Sequence, residues 1–152
     1  MAVRTSREIV IEAPPESVMA ALADVGSLPS YSPAFKCADV LDTYDDGRPH
    51  HVHTAVKVLG KVFDDILEYR WGPDWLVYDS ERTTQRYSQH IEYTLRPDYT
   101  RTSTTVRMDV TAETDSLIPD FLVERVGKSV IDAQVEGLRR RVLGGKPSDQ
   151  PE

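Results

Sequence analysis

The chain has 152 residues, 39% hydrophobic and 28% charged, with a formal net charge of -7. That length fits one domain able to build a core without metals or disulfides, and the acidic balance argues against a nucleic-acid binder, which would carry a basic face. Cys37 is the only cysteine, no apolar run approaches a membrane span, and no apolar stretch precedes the first charges, so a cytoplasmic protein without internal disulfides, secretory signal or stable membrane insertion is expected.

Residues 4–12 form an apolar strand that Pro14 and Pro15 stop. Pro15 suits the first turn of a helix, where its missing N–H costs nothing, and Glu16 lies near the positive helix end. Val18, Met19, Leu22 and Val25 recur at spacings of three and four, giving one apolar face. Gly26 is the expected C-cap, and "SLPSYSP" has room for one short helical turn. Strands follow at 35–43, 50–59, 62–71, 75–80, 86–95 and 102–112, separated by turn signals at Asp46-Gly47, Gly60-Lys61, "GPD" and "RPDYT". This spacing predicts an antiparallel meander. Residues 118–143 carry two apolar stripes at helical spacing and predict a long helix lying across the sheet. Arg139, Arg140 and Arg141 fall near its end, where cations suit the macrodipole.

Side chains alternate along strands, so a two-residue turn at Gly60-Lys61 would pair Leu59 with Val62 and place Val52, Thr54, Val56, Phe63, Asp65, Leu67, Tyr69 and Trp71 on one face. His51, His53, Lys57, Asp64 and Glu68 then point the other way. Later strands add Tyr87, Gln89, Ile91, Tyr93 and Leu95, then Val106, Met108 and Val110. The inward face is apolar but holds Asp65, Gln89, Thr54 and several tyrosines. A solid core excludes unpaired polar groups, whereas a ligand cavity uses a few of them. The competing reading puts Asp65 and Gln89 near strand ends, in reach of water.

The segment "IEAPPESVMAALADVGSLPSYSP" at 11–33 and the closing "SLIPDFLVERVGKSVIDAQVEGLRRRV" resemble the start and end of the SRPBCC superfamily, which includes polyketide cyclase/dehydrase-like, START-like and Bet v 1-like proteins. Ile11, Ala13, Pro14, Glu16, Val18, Leu22, Asp24, Val25, Pro29, Tyr31 and Pro33 carry the resemblance. Met19 and Tyr31 stand where many members have tryptophan. The resemblance implies an α+β helix-grip fold. In it, a curved antiparallel sheet of six to seven strands wraps around the long C-terminal helix, and two short helices lie between strands 1 and 2. Residues 1–143 would form the single domain and 144–152 a disordered tail. It also implies a hydrophobic cavity between sheet and helix, for a lipid, polyketide or similar small molecule that is carried or sensed. The alternative it implies is a cyclase, aromatase or dehydratase. The fold alone does not choose between them.

Within that frame the expected cavity lining is Val56, Phe63, Leu67, Tyr69, Tyr93, Val106, Met108, Leu122, Val126 and Val130, with Tyr31 and Phe35 at its mouth and Asp65 and Gln89 orienting a polar group. Asp65 and Tyr69 are the acid/base candidates. Asp64 and Asp65 face opposite sides and make no dyad. His51 and His53 share an outward face, but the sequence offers no third ligand, so no metal is expected. His90 points outward too, and Cys37 has no histidine partner in the cavity. No phosphate loop, Rossmann fingerprint or nucleophile elbow occurs, and no cofactor is expected. A monomer or homodimer is expected; in a third reading the chain is an interaction protein whose cavity is filled by its own aromatics, and dimerisation through an exposed strand edge would fit that case. Gly127, Ala133 and Gly137 in the closing helix leave room for ligand or permit close packing, and the sequence does not choose.

Overall fold

A computed structural model describes residues 2–58, 60–83, 87–114 and 120–144. Strand β1 (Ala2–Ile11) leads to helix α1 (Pro15–Ala23), a 3-10 turn (Val25–Ser27) and the one-turn helix α2 (Leu28–Tyr31). Six strands follow: β2 (Phe35–Thr43), β3 (Pro49–Val58), β4 (Lys61–Trp71), β5 (Trp75–Thr83), β6 (Tyr87–Pro97) and β7 (Thr104–Thr114). Helix α3 (Asp120–Gly144) closes the chain. The sheet is antiparallel throughout, in the order β1-β7-β6-β5-β4-β3-β2. This is the helix-grip arrangement. The expected tail lies mostly outside the described residues.

Local chemistry explains the first connection. Pro14 is extended and Pro15 opens α1, which buries Val18 and Leu22 one turn apart. The expected cap at Gly26 is corrected: α1 ends at Ala23, and the Asp24 N–H donates to the carbonyls of Ala20 and Ala21. The chain runs straight on into the 3-10 turn, so no left-handed residue is needed to leave the helix. Asp46-Gly47 does turn the β2–β3 hairpin, with Gly47 at φ 89°.

The β3–β4 hairpin register is also corrected. Val58 pairs with Lys61 and Val56 with Phe63, so the chain turns between Val58 and Lys61, with Gly60 at φ 80°. Glycine takes that backbone conformation without steric cost. Each strand slides by one residue in opposite senses, so side-chain parity survives. Thr54 still faces the same way as Asp65, and Ala55 as Asp64.

Helix α3 lies over β1 and rests on α1 and α2. Ile131, Val135 and Leu138 are buried with Ile11, Val18, Leu67, Ile91 and Val106 in one core, each contributing about 2 kcal/mol by leaving water. Two glycines set the approach. A Cβ on Gly137 would lie 2.0 Å from the Tyr31 carbonyl oxygen, whereas one on Gly127 would meet Thr5 Oγ1 at 3.5 Å. Gly137 therefore serves close packing on α2, not ligand room. Arg7 on β1 reaches Asp132 and Glu136. Arg139 and Arg141 pair with Glu12 and Asp24, tying the helix end to the first connection.

Candidate functional site

The concave face divides into two halves. Beneath the second half of α3, the space is filled by aromatic side chains. Tyr69 and Tyr78 stack at 4.4 Å between ring centroids, and Tyr93 lies 6.4 Å from Tyr78. Gln134 reaches down from α3 and its amide donates to the Tyr93 hydroxyl at 2.7 Å. Burial pushes the Tyr78 phenol up to about 12 and holds those of Tyr31, Tyr69 and Tyr93 above their ordinary range, so these groups are neutral hydrogen-bonding partners at physiological pH. The void left among Leu22, Leu28, Tyr31, Tyr69, Tyr93 and Gln134 is about 10 Å³, no more than one water. Replacing Gln134 with Leu removes the buried donor, and a loss of about 2 kcal/mol is expected, measured by urea unfolding.

Elsewhere the inward face carries a polar group of Asp65, Thr54, Ser80 and Gln89. Asp65 is 3% exposed. The Ser80 hydroxyl donates to its Oδ2, and the Gln89 backbone N–H donates to Ser80 Oγ at 2.9 Å. Among the described residues nothing bonds Asp65 Oδ1, and Thr54 Oγ1, on the residue paired with Asp65 across the strands, is also buried without a partner. Burial raises the Asp65 carboxyl to about 6, and the hydrogen bonds from Ser80, Gln89 and the Ile66 N–H only partly offset it. Phe63 and Gln89 are half-buried on the same face. Val126 and Val130 are half-buried on α3, eight and four residues before Gln134, which puts them on its sheet-facing side.

The structure thus sorts the expected site residues. Asp65 and Phe63 share the inward face of β4, Gln89 lies beside Ser80, and Val126 and Val130 are half-buried on the Gln134 side of α3. Val56, Leu67, Tyr69, Tyr93, Val106, Met108 and Phe35 are packed core, with Leu67 and Val106 at 0% exposure touching no open space. The Leu122 side chain lies outside the described residues. Tyr31 packs against the core under α3, and Leu28 and Ser32 beside it are buried. The stretch Leu28–Ser32, with Tyr31 expected at a mouth, is packed against the core and supports α3, whereas Pro15, Glu16, Met19, Ala20 and Ala23 of α1 border an open cleft of about 460 Å³. Asp65 and Tyr69 are not brought together: they lie about 13 Å apart along β4 with Leu67 between them, and Tyr69 is held in the aromatic stack. Asp65 does not reach water, so the reading that placed it at a wet strand end fails.

Three participants escaped the sequence reading: Ser80, Tyr78 and Gln134. Alternation from Leu76 places Tyr78 and Ser80 inward, and Gln134 is a polar residue on the stripe of Val130, Ile131 and Leu138. The regular β4–β5 register sets Ser80 level with Leu67, and the β-bulge just beyond it pairs Asp65 with Thr83, leaving the Ser80 hydroxyl on the Asp65 carboxyl.

The outward histidines are as expected. His51 sits between Asp42 and Glu81, His53 between Asp39 and Asp64, and His90 between Asp79 and Glu92. The Asp42 hydrogen bond leads in raising His51 above its ordinary value.

Residues 11–139 match the family described as polyketide cyclase / dehydrase and lipid transport. The chain belongs to this family. Several solved structures share its fold. A START superfamily protein from Mycobacterium smegmatis is 19% identical, with 93% of this chain and 97% of that one covered at a TM-score of 0.83. A protein from Thermus thermophilus is 20% identical, covering 93% and 98% at 0.82. The Zhui aromatase/cyclase from Streptomyces sp. R1128 is 16% identical, covering 96% and 99% at 0.79. At these identities the likeness concerns fold. No curated protein matches the chain. Among the described residues, no helix is long and apolar enough to cross a membrane.

Proposed function

We propose that the protein binds a small, mainly apolar molecule between the first half of α3 and the sheet, as a carrier or sensor, and that Asp65 receives a hydrogen bond from a hydroxyl or N–H on it. The observation that carries this reading is Asp65 Oδ1, buried on the inward face of the sheet with no partner among the described residues. An unpartnered buried carboxylate oxygen costs stability, and a ligand donor would remove that cost. Phe63, Val126 and Val130 supply apolar walls, and Ser80 and Gln89 hold the carboxyl in place. Membership in a lipid transport and polyketide cyclase family supports the same ligand class. Nile red tests the apolar walls: wild type is expected to bind it with enhanced fluorescence, and Val130→Trp, which fills the space, to bind about tenfold more weakly. Equal binding by both proteins contradicts the placement.

A second reading rests on the Asp65 carboxyl at about 6, which leaves it partly protonated near neutrality, as a general acid or base requires. A cyclase or dehydratase acting on a polyketide-like substrate would use Asp65 without Tyr69. Asp65→Asn would then keep shape and apolar contacts but lose turnover, and turnover that survived the substitution would remove this reading.

A further inference from the structure

The outer face of the sheet carries a second cluster, unrelated to the concave face. Asp39 on β2 and His53 on β3 are directly paired across the hairpin. The register shifts between Phe35 and Cys37, and this irregularity turns Cys37 outward although Phe35, two residues earlier, is buried in the core. Cys37 and Asp39 then share the outer face with His53. Cys37 Sγ lies 3.9 Å from His53 Nδ1, and His53 Nδ1 lies 3.7 Å from Asp39 Oδ2. One ligand atom from each of the three falls within 4.8 Å of the other two.

From these positions we infer that Cys37, Asp39 and His53 form a binding site for a zinc-class divalent ion. A tetrahedral zinc with ordinary sulfur, nitrogen and oxygen bond lengths holds its ligand atoms roughly 3.3–3.6 Å apart, so small side-chain rotations close the set. The donor types are selective: thiolate with imidazole favours zinc-class ions over magnesium or calcium. His53 is oriented for the task by a fourth residue. Its Nε2 lies 3.0 Å from Asp64 Oδ1 on β4; a proton held there leaves the Nδ1 lone pair facing Cys37 and Asp39, the carboxylate–histidine–metal arrangement of many zinc sites. Three protein ligands leave the fourth position to water. Binding deprotonates the Cys37 thiol and releases its proton to solvent. The sequence reading found no third ligand because it lacked the β-bulge that brings Cys37 and Asp39 to the face of His53.

The test is titration of the tag-free full-length chain with Co2+, then Zn2+. One Co2+ per chain is expected, with a near-ultraviolet thiolate-to-cobalt charge-transfer band that Zn2+ abolishes. Cys37→Ser is expected to lose the band, His53→Asn to bind Zn2+ at least about tenfold more weakly, and Asp64→Asn to bind it about tenfold more weakly. The double variant His50→Asn, His51→Asn is expected to bind as wild type, since those residues form a separate group with Asp42. In wild type, which avoids any folding defect, Zn2+ is expected to slow alkylation of Cys37 by iodoacetamide. Absence of the charge-transfer band, unprotected alkylation, or loss of binding only in the His50/His51 variant overturns the site.

Discussion

Gly137→Ala is expected to destabilise the protein by about 3 kcal/mol and to lower its thermal midpoint by roughly 10 °C. In an isolated helix the same change would gain about 1 kcal/mol. Here the new methyl would sit 2.0 Å from the Tyr31 carbonyl oxygen and 2.9 Å from its carbon. These are backbone atoms and cannot rotate aside. Leu28 and Ser32 bury α2 on one side, and Ile131, Val135 and Leu138 fix α3 on the other, so relieving the clash requires separating two packed elements. Gly127→Ala is the matched control. Its methyl makes an ordinary contact with Thr5, and stability is expected to stay level or rise by up to about 1 kcal/mol. Urea unfolding of both variants decides the matter. A Gly137→Ala protein as stable as wild type would show that α3 does not rest on the first connection as described.

Asp65→Asn is expected to act in the opposite direction, stabilising the ligand-free protein near neutral pH by up to about 3 kcal/mol. The raised carboxyl value, about 6 against an ordinary 3.8, gives the sign. Below the ordinary value both native and unfolded carboxyls are protonated and there is no penalty. As pH rises from about 4 to about 6, the unfolded chain releases its proton while the native chain keeps it, so wild-type stability falls. Above that range the native carboxylate is charged and the whole penalty is present. Asn removes the titration while keeping an acceptor for the Ser80 hydroxyl. The variant's stability is therefore expected to match wild type near pH 4 and exceed it near pH 8, as read from urea unfolding across that range. A penalty retained against stability marks a residue kept for function. A variant with unchanged pH dependence would show that Asp65 is not the strained group.

Much of the fold was legible because its signals are local. Pro14-Pro15, Asp46-Gly47 and the strand alternation each fix a few backbone angles, and the resemblance at both chain ends ordered them into a helix grip. The concave face was legible for the same reason: parity survives a turn displaced by one residue, so Thr54, Asp65 and Leu67 faced inward under either register. What the sequence hid depends on contacts between distant elements. Packing of Gln134 against Tyr78 and Tyr93 turned expected cavity lining into core. Burial of Leu28 and Ser32 beside Tyr31 turned an expected entrance into a support. A bulge turned Cys37 toward His53, and no pattern of period two announces a bulge in advance.

Whether the Asp65 half of the concave face holds a small molecule is the central question. Native mass spectrometry of the tag-free protein purified from its source cell, with parallel purification of Asp65→Leu and Val130→Trp, tests it most directly. Wild type is expected to carry an added mass of a small molecule that organic extraction releases, and both variants are expected to lose most of it. Wild type at its bare polypeptide mass, or an equal load on all three proteins, would contradict the claim.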